Sequence, residues 1–395
     1  MQVSEIGNLK LKILSVFGTR PEAVKMAPIV LRLKATPEIE TRVCVTAQHR
    51  QMLDQVLELF QIKPDYDLDL MRENQSMAQI SAGIFTHLDP ILAEFNPDWV
   101  LAVGDTTTVV TTSLLAFYRR IKFGHVEAGL RTHNKWHPFP EEINRRLATT
   151  TADLHFAPTQ WSRQNLLNEN IPTESVIVTG NPVIDALMHV SKQDEPKEIK
   201  DLLEKLGVRG EGTGELETRR LETRRLILVT AHRRENFGTP IENICYAIKE
   251  LAMRGDVEIV YPIHLNPNVQ EPVNRILGNV PHVTLLPPLD YLPMVHLMKC
   301  ATVILTDSGG IQEEAPAFGI PVLVMRETTE RPEGVEAGTL KLVGTETSRI
   351  VQEATRLLDD PAAYAEMAKT GNPFGDGHAS ERIVEALLKT QIENL

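Results

Sequence analysis

Two doubly wound α/β domains are what this sequence predicts, and three observations predict them. Short runs rich in Val and Ile recur along nearly the whole chain, each followed by a polar turn and a stretch of helical period, which is the order of parallel βαβ units. A length of 395 residues is long for one core and suits two domains of ordinary size. Each half also opens with the same device, a strand followed by a turn carrying arginine: GTRPEA at 18–23 and AHRREN at 231–236. Two such domains facing one another enclose a cleft. Ligands of doubly wound sheets collect at the carboxyl ends of the strands, so the residues just after strands are the ones to weigh.

The clearest strands are LKILSVF (11–17), RVCVTA (42–47), DWVLAVG (98–104), SVIVTG (175–180), RLILVTA (225–231), VEIVYPI (257–263), ATVILT (301–306) and PVLVM (321–325). Their unbroken apolar content suits strands covered on both faces. Between the first two, Gly18 allows a tight turn, Pro21 suits the first position of a helix, and Pro28 predicts a kink or a late helix start. Met77, Ile80, Ile84, Leu88, Ile91 and Phe95 advance by three or four residues, forming one apolar helical stripe that reads as core. From Asn181-Pro182 to Leu226 the chain turns polar, and residues 207–225 carry LETRR twice in tandem, a low-complexity stretch read as a solvated insertion. The border therefore falls near residue 186, giving a first domain over 1–186, a second over 187–375 and a terminal helix over 376–395, with Ile383, Leu387 and Leu388 on one face.

Composition excludes several classes. No apolar run approaches the roughly 18 residues of a membrane span, and the opening MQVSEIGNLK lacks the pattern of a secretory signal, so a cytoplasmic protein is expected. A net charge of -12 argues against a nucleic-acid footprint, so any anionic ligand must meet a local basic pocket. Cys44, Cys245 and Cys300 fit no metal-ligand spacing and sit in apolar stretches, where a thiol behaves as a small hydrophobe. No metal, cofactor or nicotinamide motif appears.

The chemistry-bearing residues fall after strands. Arg20 and Lys25 lie where a cation meets an anion near a helix start. In TDSGGIQEEAP (306–316), Ser308, Gly309 and Gly310 open a helix whose backbone N–H groups suit a diphosphate, and Glu314 is placed to accept hydrogen bonds from ribose hydroxyls. The bland alternative is an ordinary helix start with Ser308 as its cap. His232, beside Arg233 and Arg234, is suited to protonating a leaving phosphate near neutral pH, and His264 has a similar placement. Asp105 and Glu127 both follow apolar strands and belong to one sheet edge. Glu141 and Glu142 follow Pro140, where acids are also favoured by the helix dipole alone.

Nine ordered motifs are recognisable: FGTRPEAVKMAP (17–28), GDTTT (104–108), GHVEAGLRT (124–132), PFPEEINRR (138–146), GNPVIDA (180–186), TAHRRENFG (230–238), HLNPNV (264–269), DSGGIQEEAP (307–316) and RETTERPEGVEAGT (326–339). Together they resemble the non-hydrolysing UDP-N-acetylglucosamine 2-epimerase family, over about residues 11–390 apart from 207–225. The resemblance implies a glycosyltransferase-B-like fold, with the active site in the cleft between two Rossmann-like domains and the last helix packed back on the first. It implies that UDP-GlcNAc and UDP-ManNAc interconvert at C2 without a cofactor, and that the product supplies ManNAc units for cell-surface polysaccharide. By position, Arg20, Asp105, Glu127, Glu141 and His232 match the family's catalytic set. Ser308, Glu314 and Arg331 match its UDP-binding residues, with Gly309 and Gly310 beside them, and Lys25 is read with them as substrate-binding. Gln48, Gln51, Arg233 and His264 match a site for a second UDP-GlcNAc acting as activator, and the family implies a homodimer.

Inversion at a carbon with no adjacent carbonyl needs more than a base. General acid–base catalysis supplies about 10²–10⁴-fold, far short of an unactivated C–H. Departure of UDP must therefore lead, and the family's route of anti elimination to 2-acetamidoglucal and re-addition fits. Two faces require two proton-transfer groups, and the sequence leaves open which of Asp105, Glu127 and Glu141 serves which face. A hydrolysing epimerase would share the elimination, but such relatives depart from GTRPE at the first turn, which Pro21-Glu22 preserves here. A glycosyltransferase of the same fold would not need the carboxylate trio. A nucleotide-sugar sensor would bind without turnover.

Overall fold

A computed structural model of the chain describes residues 10–47, 50–70, 72, 75–208, 224–368 and 371–392. The chain divides into two compact units, Met1–Ala186 with Phe374–Leu395, and Leu187–Pro373. Each is a parallel sheet with helices between successive strands, the α/β class expected.

In the first unit the strands are β1 (Leu11–Phe17), β2 (Ile39–Val45), β3 (Tyr66–Asp67), β4 (Trp99–Val103), β5 (Lys122–Val126), β6 (Leu154–Ala157) and β7 (Val176–Val178), in spatial order β3-β2-β1-β4-β5-β6-β7. Every pairing is parallel. Ile13, Leu14 and Val16 are fully buried, as are Val100, Leu101 and Ala102, so the central strands are covered on both faces. The helix Arg20–Lys34 begins directly after β1 and passes through Pro28. The expected late start is therefore wrong: the proline removes one backbone bond, but burial of Met26, Ala27, Pro28, Ile29 and Val30 holds the helix together. On Met77–Phe95 the stripe is rotated from the one expected. Ile84, Leu88, Leu92 and Phe95 are buried, Ile80 and Ile91 are half-buried, and Met77 is exposed because the first turn runs beyond the core.

The helix Ala379–Ile392 belongs to this first unit. Ile383, Val384 and Leu387 are buried, and Leu388 is half-buried. The Asp185 carboxylate accepts the N–H groups of Ala379 (3.1 Å) and Ser380 (2.8 Å), satisfying two backbone donors at the helix start. Arg382 donates to the Thr179 carbonyl at 2.9 Å.

The second unit has β8 (Arg225–Thr230), β9 (Val257–Pro262), β10 (Val283–Leu286), β11 (Val303–Thr306), β12 (Val322–Val324) and β13 (Leu340–Leu342), ordered β10-β9-β8-β11-β12-β13 and again parallel throughout. Its core gathers Ile227, Val229, Ile259, Tyr261, Val303 and Leu305 with the apolar face of Thr239–Ala252. Most of the LETRR stretch, residues 209–223, lies outside the described residues. Its last two residues are not a solvated loop: Arg225 opens β8 and pairs with Asp256, and Arg224 pairs with the buried Glu258. Cys44 and Cys245 are buried thiols outside any disulfide, and burial pushes the Cys245 thiol up to about 12, consistent with a packing role for both; Cys300 is half-buried. Among the described residues no helix is long and apolar enough to cross a membrane.

Candidate active site

The order of strands in the first sheet reverses between β1 and β4, so the loops leaving these two strands diverge at the carboxyl edge. Gly18 leaves β1 so close to its neighbours that a Cβ there would lie 1.8 Å from the Thr46 hydroxyl oxygen, which only glycine permits. Glu22 joins the two loops. Its Oε2 accepts the N–H groups of Gly18 (2.9 Å) and Thr19 (2.7 Å), and its Oε1 accepts the Thr106 hydroxyl. Burial pushes this carboxyl up, and the hydrogen bonds oppose the shift.

Arg20 is half-buried at the first helical position, with no hydrogen-bond or ion-pair partner among the described residues. Lys25, just over a turn further on, forms an ion pair with Glu127. Glu127 leaves β5 in the left-handed region at φ 62°, an uncommon conformation for a side chain of its size and one that recurs at functional sites. Asn181, beyond β7, donates from Nδ2 to Glu127 Oε2 at 3.0 Å.

Asp105 leaves β4, the parallel neighbour of β5, with Val103 opposite Val126. Arg145 holds its Oδ2 with Nε at 2.9 Å and Nη2 at 2.6 Å, and Asn144 donates to its carbonyl at 2.8 Å. Both partners lie on the helix Glu141–Thr151, so this grip fixes the helix that Glu141 begins. The paired acids Glu141 and Glu142 separate cleanly. Glu142 is wholly buried and accepts the N–H groups of Thr132 (3.0 Å) and His133 (3.1 Å) and the guanidinium groups of Arg145 and Arg146. Burial alone would push its carboxyl up, but the Thr132 N–H and the Arg145 charge hold it below the usual range. Glu141 Oε2 is buried with no hydrogen-bond partner among the described residues, an unsatisfied acceptor that a substrate hydroxyl or proton would complete.

Under this edge lies His125 on β5, fully buried, with Nε2 2.7 Å from the Gly104 carbonyl oxygen. The carbonyl can only accept, so Nε2 carries the proton. Burial pushes this imidazole down to about 4, and burial likewise lowers His155, opposite it on β6. Because the folded pKa is depressed, the stabilisation is complete above the unfolded value of about 6.5 and is lost as pH falls toward 4. His125 alone then accounts for on the order of 3 kcal/mol. In urea titrations at pH 7.5 and 4.5, H125Q, which keeps a donor but cannot titrate, is expected to lose less stability by about that amount. Equal losses in the two proteins would contradict a buried neutral His125.

In the second unit the order reverses between β8 and β11. Asp307, leaving β11, is fully buried and accepts the N–H groups of His232 and Arg233 and the Asn236 side-chain amide, each at 2.9 Å. Its other oxygen lies 3.6 Å from His232 Nδ1, within ion-pair range though too long for a hydrogen bond. The His232 ring stacks on that of His264, with centroids 5.4 Å apart and planes 15° apart. Burial pushes His232 below its ordinary value; Asp307 opposes this, while His264 and Arg233 add to it.

Ser308 occupies the N-cap position of Gly309–Glu314, without a side-chain capping bond. Its N–H is taken by the Thr306 hydroxyl at 2.9 Å. Arg331 comes to this turn: a Cβ on Gly309 would lie 3.0 Å from its guanidinium, which Glu313 grips at 2.8 Å. Gly310 is exposed, and Glu314 is buried with its Oε1 accepting the Tyr291 hydroxyl at 2.6 Å. His264 is exposed, its Nδ1 accepting the Asn266 N–H at 3.1 Å. Gln48 lies outside the described residues, and Gln51 falls on the helix Arg50–Leu59. Among the described residues no cluster of three His, Cys, Asp or Glu side chains could hold a metal ion.

The family model described as UDP-N-acetylglucosamine 2-epimerase matches residues 31–388. The chain belongs to the UDP-N-acetylglucosamine 2-epimerase family. It is 55% identical over 383 residues to the UDP-N-acetylglucosamine 2-epimerase of Escherichia coli K12, covering 97% of this chain and 100% of that one. Among solved structures, the UDP-GlcNAc 2-epimerase of Neisseria meningitidis bound to UDP-GlcNAc matches with a TM-score of 0.85 and 51% identity, over 96% of this chain and 100% of that one. The Methanocaldococcus jannaschii UDP-GlcNAc 2-epimerase, in complex with UDP-GlcNAc and UDP, matches with a TM-score of 0.77 and 30% identity over 96% of this chain and 100% of that one. Against this family background, Glu22, Arg145, Asn181, Tyr291 and Asp307 are the residues that sequence reasoning passed over. All but Tyr291 lay inside the quoted motifs. Their tasks depend on partners from other elements, as when Asp307 closes on N–H groups 74 and 75 positions away.

Proposed function

We propose that the chain interconverts UDP-GlcNAc and UDP-ManNAc by anti elimination of UDP to 2-acetamidoglucal and re-addition with inversion at C2, releasing no free sugar. The observation that carries this reading is the set of three carboxylates at the carboxyl edge of the first sheet, each held differently: Asp105 gripped by Arg145, Glu127 by Lys25 and Asn181, and Glu141 with a buried acceptor oxygen. Transfer of a proton to or from C2 on opposite faces calls for at least two such groups, and a sugar-nucleotide binder or glycosyl transferase would not need them.

On this reading the second unit takes the diphosphate. Ser308, Gly309, Gly310 and Arg331 hold it, with Arg20 assisting as charge develops on the departing UDP, and Glu314 accepts from the ribose hydroxyls. A bound diphosphate adds negative charge beside His232, opposing the burial that pushes this imidazole down and loading it as the proton donor to the leaving group. Arg233 and His264, with Gln48 and Gln51, would bind a second UDP-GlcNAc as activator. A homodimeric enzyme of the cytoplasm, supplying ManNAc units for surface polysaccharide, completes the reading.

Incubation with UDP-GlcNAc in D₂O, followed by NMR, tests it. UDP-ManNAc carrying deuterium at C2 is the expected product. Free ManNAc with UDP would replace this reading by a hydrolysing one, and unchanged substrate would overturn it.

A further inference from the structure

The segment GNPVIDA beyond β7 carries Asn181, whose side-chain amide reaches Glu127. Asn181 within it is 1% exposed and fully specified by its surroundings. Its backbone N–H donates to the Phe374 carbonyl at 2.7 Å. Gly180 before it sits at φ 88°, where a Cβ would lie 3.3 Å from the Gly375 Cα, so the backbone on either side is pinned. Its Oδ1 accepts the Val183 N–H at 3.1 Å, which fixes the orientation of the amide: the oxygen faces the helix, and Nδ2 is the group 3.0 Å from Glu127 Oε2.

We propose that Asn181 is a positioning residue for Glu127, setting the plane of its carboxylate so that Oε1 faces the Gly104-Asp105 turn. The proposal rests on the reading of Glu127 as a proton-transfer group. Glu127 has a backbone conformation that few non-glycine residues adopt, and such geometry persists where neighbours over-determine it. Lys25, from the helix Arg20–Lys34, pairs with the same Oε2 that Asn181 contacts. Oε1 lies on the other side, 3.9 Å from where a Cβ on Gly104 would be. A cation fixes charge but tolerates rotation, because a point charge attracts from many directions. The amide N–H is directional, and its own orientation is locked by the helix it caps. His125, two positions earlier on β5, is a further titratable group near Glu127, and burial keeps it neutral.

A residue needed only to cap Pro182–Val190 would require Oδ1 alone, and this separates the two roles. N181D and N181S both retain an oxygen for the Val183 N–H, and neither offers an N–H to Glu127. With UDP-GlcNAc as substrate, both variants are expected to lose about 10- to 100-fold in kcat, the worth of one hydrogen bond to a charged group, with KM near that of the unaltered protein. In N181D the acid limb of the kcat profile also moves to higher pH, because a second carboxylate beside Oε2 disfavours ionised Glu127. N181S shows no such displacement. Turnover and pH profile matching the unaltered protein in both variants would overturn the proposal, leaving Asn181 a helix cap. Thermal unfolding and UDP binding are measured alongside. A variant that does not fold is set aside in favour of the other, and loss of the fold in both would make Asn181 a structural anchor and likewise overturn the proposal. Absence of epimerisation in the unaltered protein would be the separate failure of the functional reading itself.

Discussion

Replacing Glu127 by glutamine is expected to lower C2 epimerisation by about 10²–10⁴-fold, the range by which a positioned acid or base contributes, while UDP-GlcNAc still binds. The substitution is close to isosteric. The glutamine carbonyl oxygen can take the Asn181 amide, and the left-handed backbone at this position is no worse for glutamine than for glutamate. What disappears is the charge opposite Lys25 and the ability to hold a proton. The decisive measurement is deuterium exchange at C2 in D₂O, with binding of UDP-GlcNAc followed by calorimetry. A variant that exchanges C2 at the original rate would remove Glu127 from the chemistry. One that neither exchanges C2 nor binds UDP-GlcNAc would reassign it to substrate recognition.

The largest effect on stability is expected from Glu22→Ala. Two buried backbone N–H groups, of Gly18 and Thr19, would lose their acceptor, and neither can turn elsewhere. At about 1–3 kcal/mol for each unsatisfied group, the loss amounts to about 2–6 kcal/mol. The Thr106 hydroxyl can rotate and contributes less. For a unit of this size each kcal/mol shifts the midpoint by about 2–4 °C, so a fall of roughly 10 °C is expected in a thermal scan. Glu22→Gln keeps a carbonyl oxygen for both N–H groups and turns its amide to a hydroxyl able to accept, so it should cost only about 1–2 kcal/mol. If the two substitutions are equally mild, Glu22 does not clasp the loops after β1 and β4.

Much of the architecture was legible because the central strands are covered on both faces and therefore read as unbroken β-branched runs, as in LKILSVF and RLILVTA. The strands that escaped notice lack that signature. KFGHV and LHFA are interrupted by glycine or histidine, and VTLL and LKL are short edge segments. The histidines in the first two are buried by pairing with carbonyl oxygens, a solution that periodicity cannot reveal. The adjacent Glu141 and Glu142 look alike in sequence. What distinguishes them is the return of the loop at Thr132 and His133, whose N–H groups reach only the second acid. Asp307 was hidden for a related reason, since an aspartate before Ser-Gly-Gly looks like part of the turn, whereas its hydrogen bonds run back to the loop after β8.

The docking of Ala379–Ile392 on the first unit imposes an order on synthesis. Asp185 and the Thr179 carbonyl, both made early, have as partners Ala379, Ser380 and Arg382, which leave the ribosome only after all of Leu187–Pro373 has been made. At about 5–20 residues per second, that interval is roughly 10–40 s. Throughout it, the groove that receives Ile383 and Leu387 stays open on an otherwise assembled sheet. The earliest part of the chain to fold is thus among the last to be finished, and a nascent chain halted within the second unit carries an exposed apolar seam on its first.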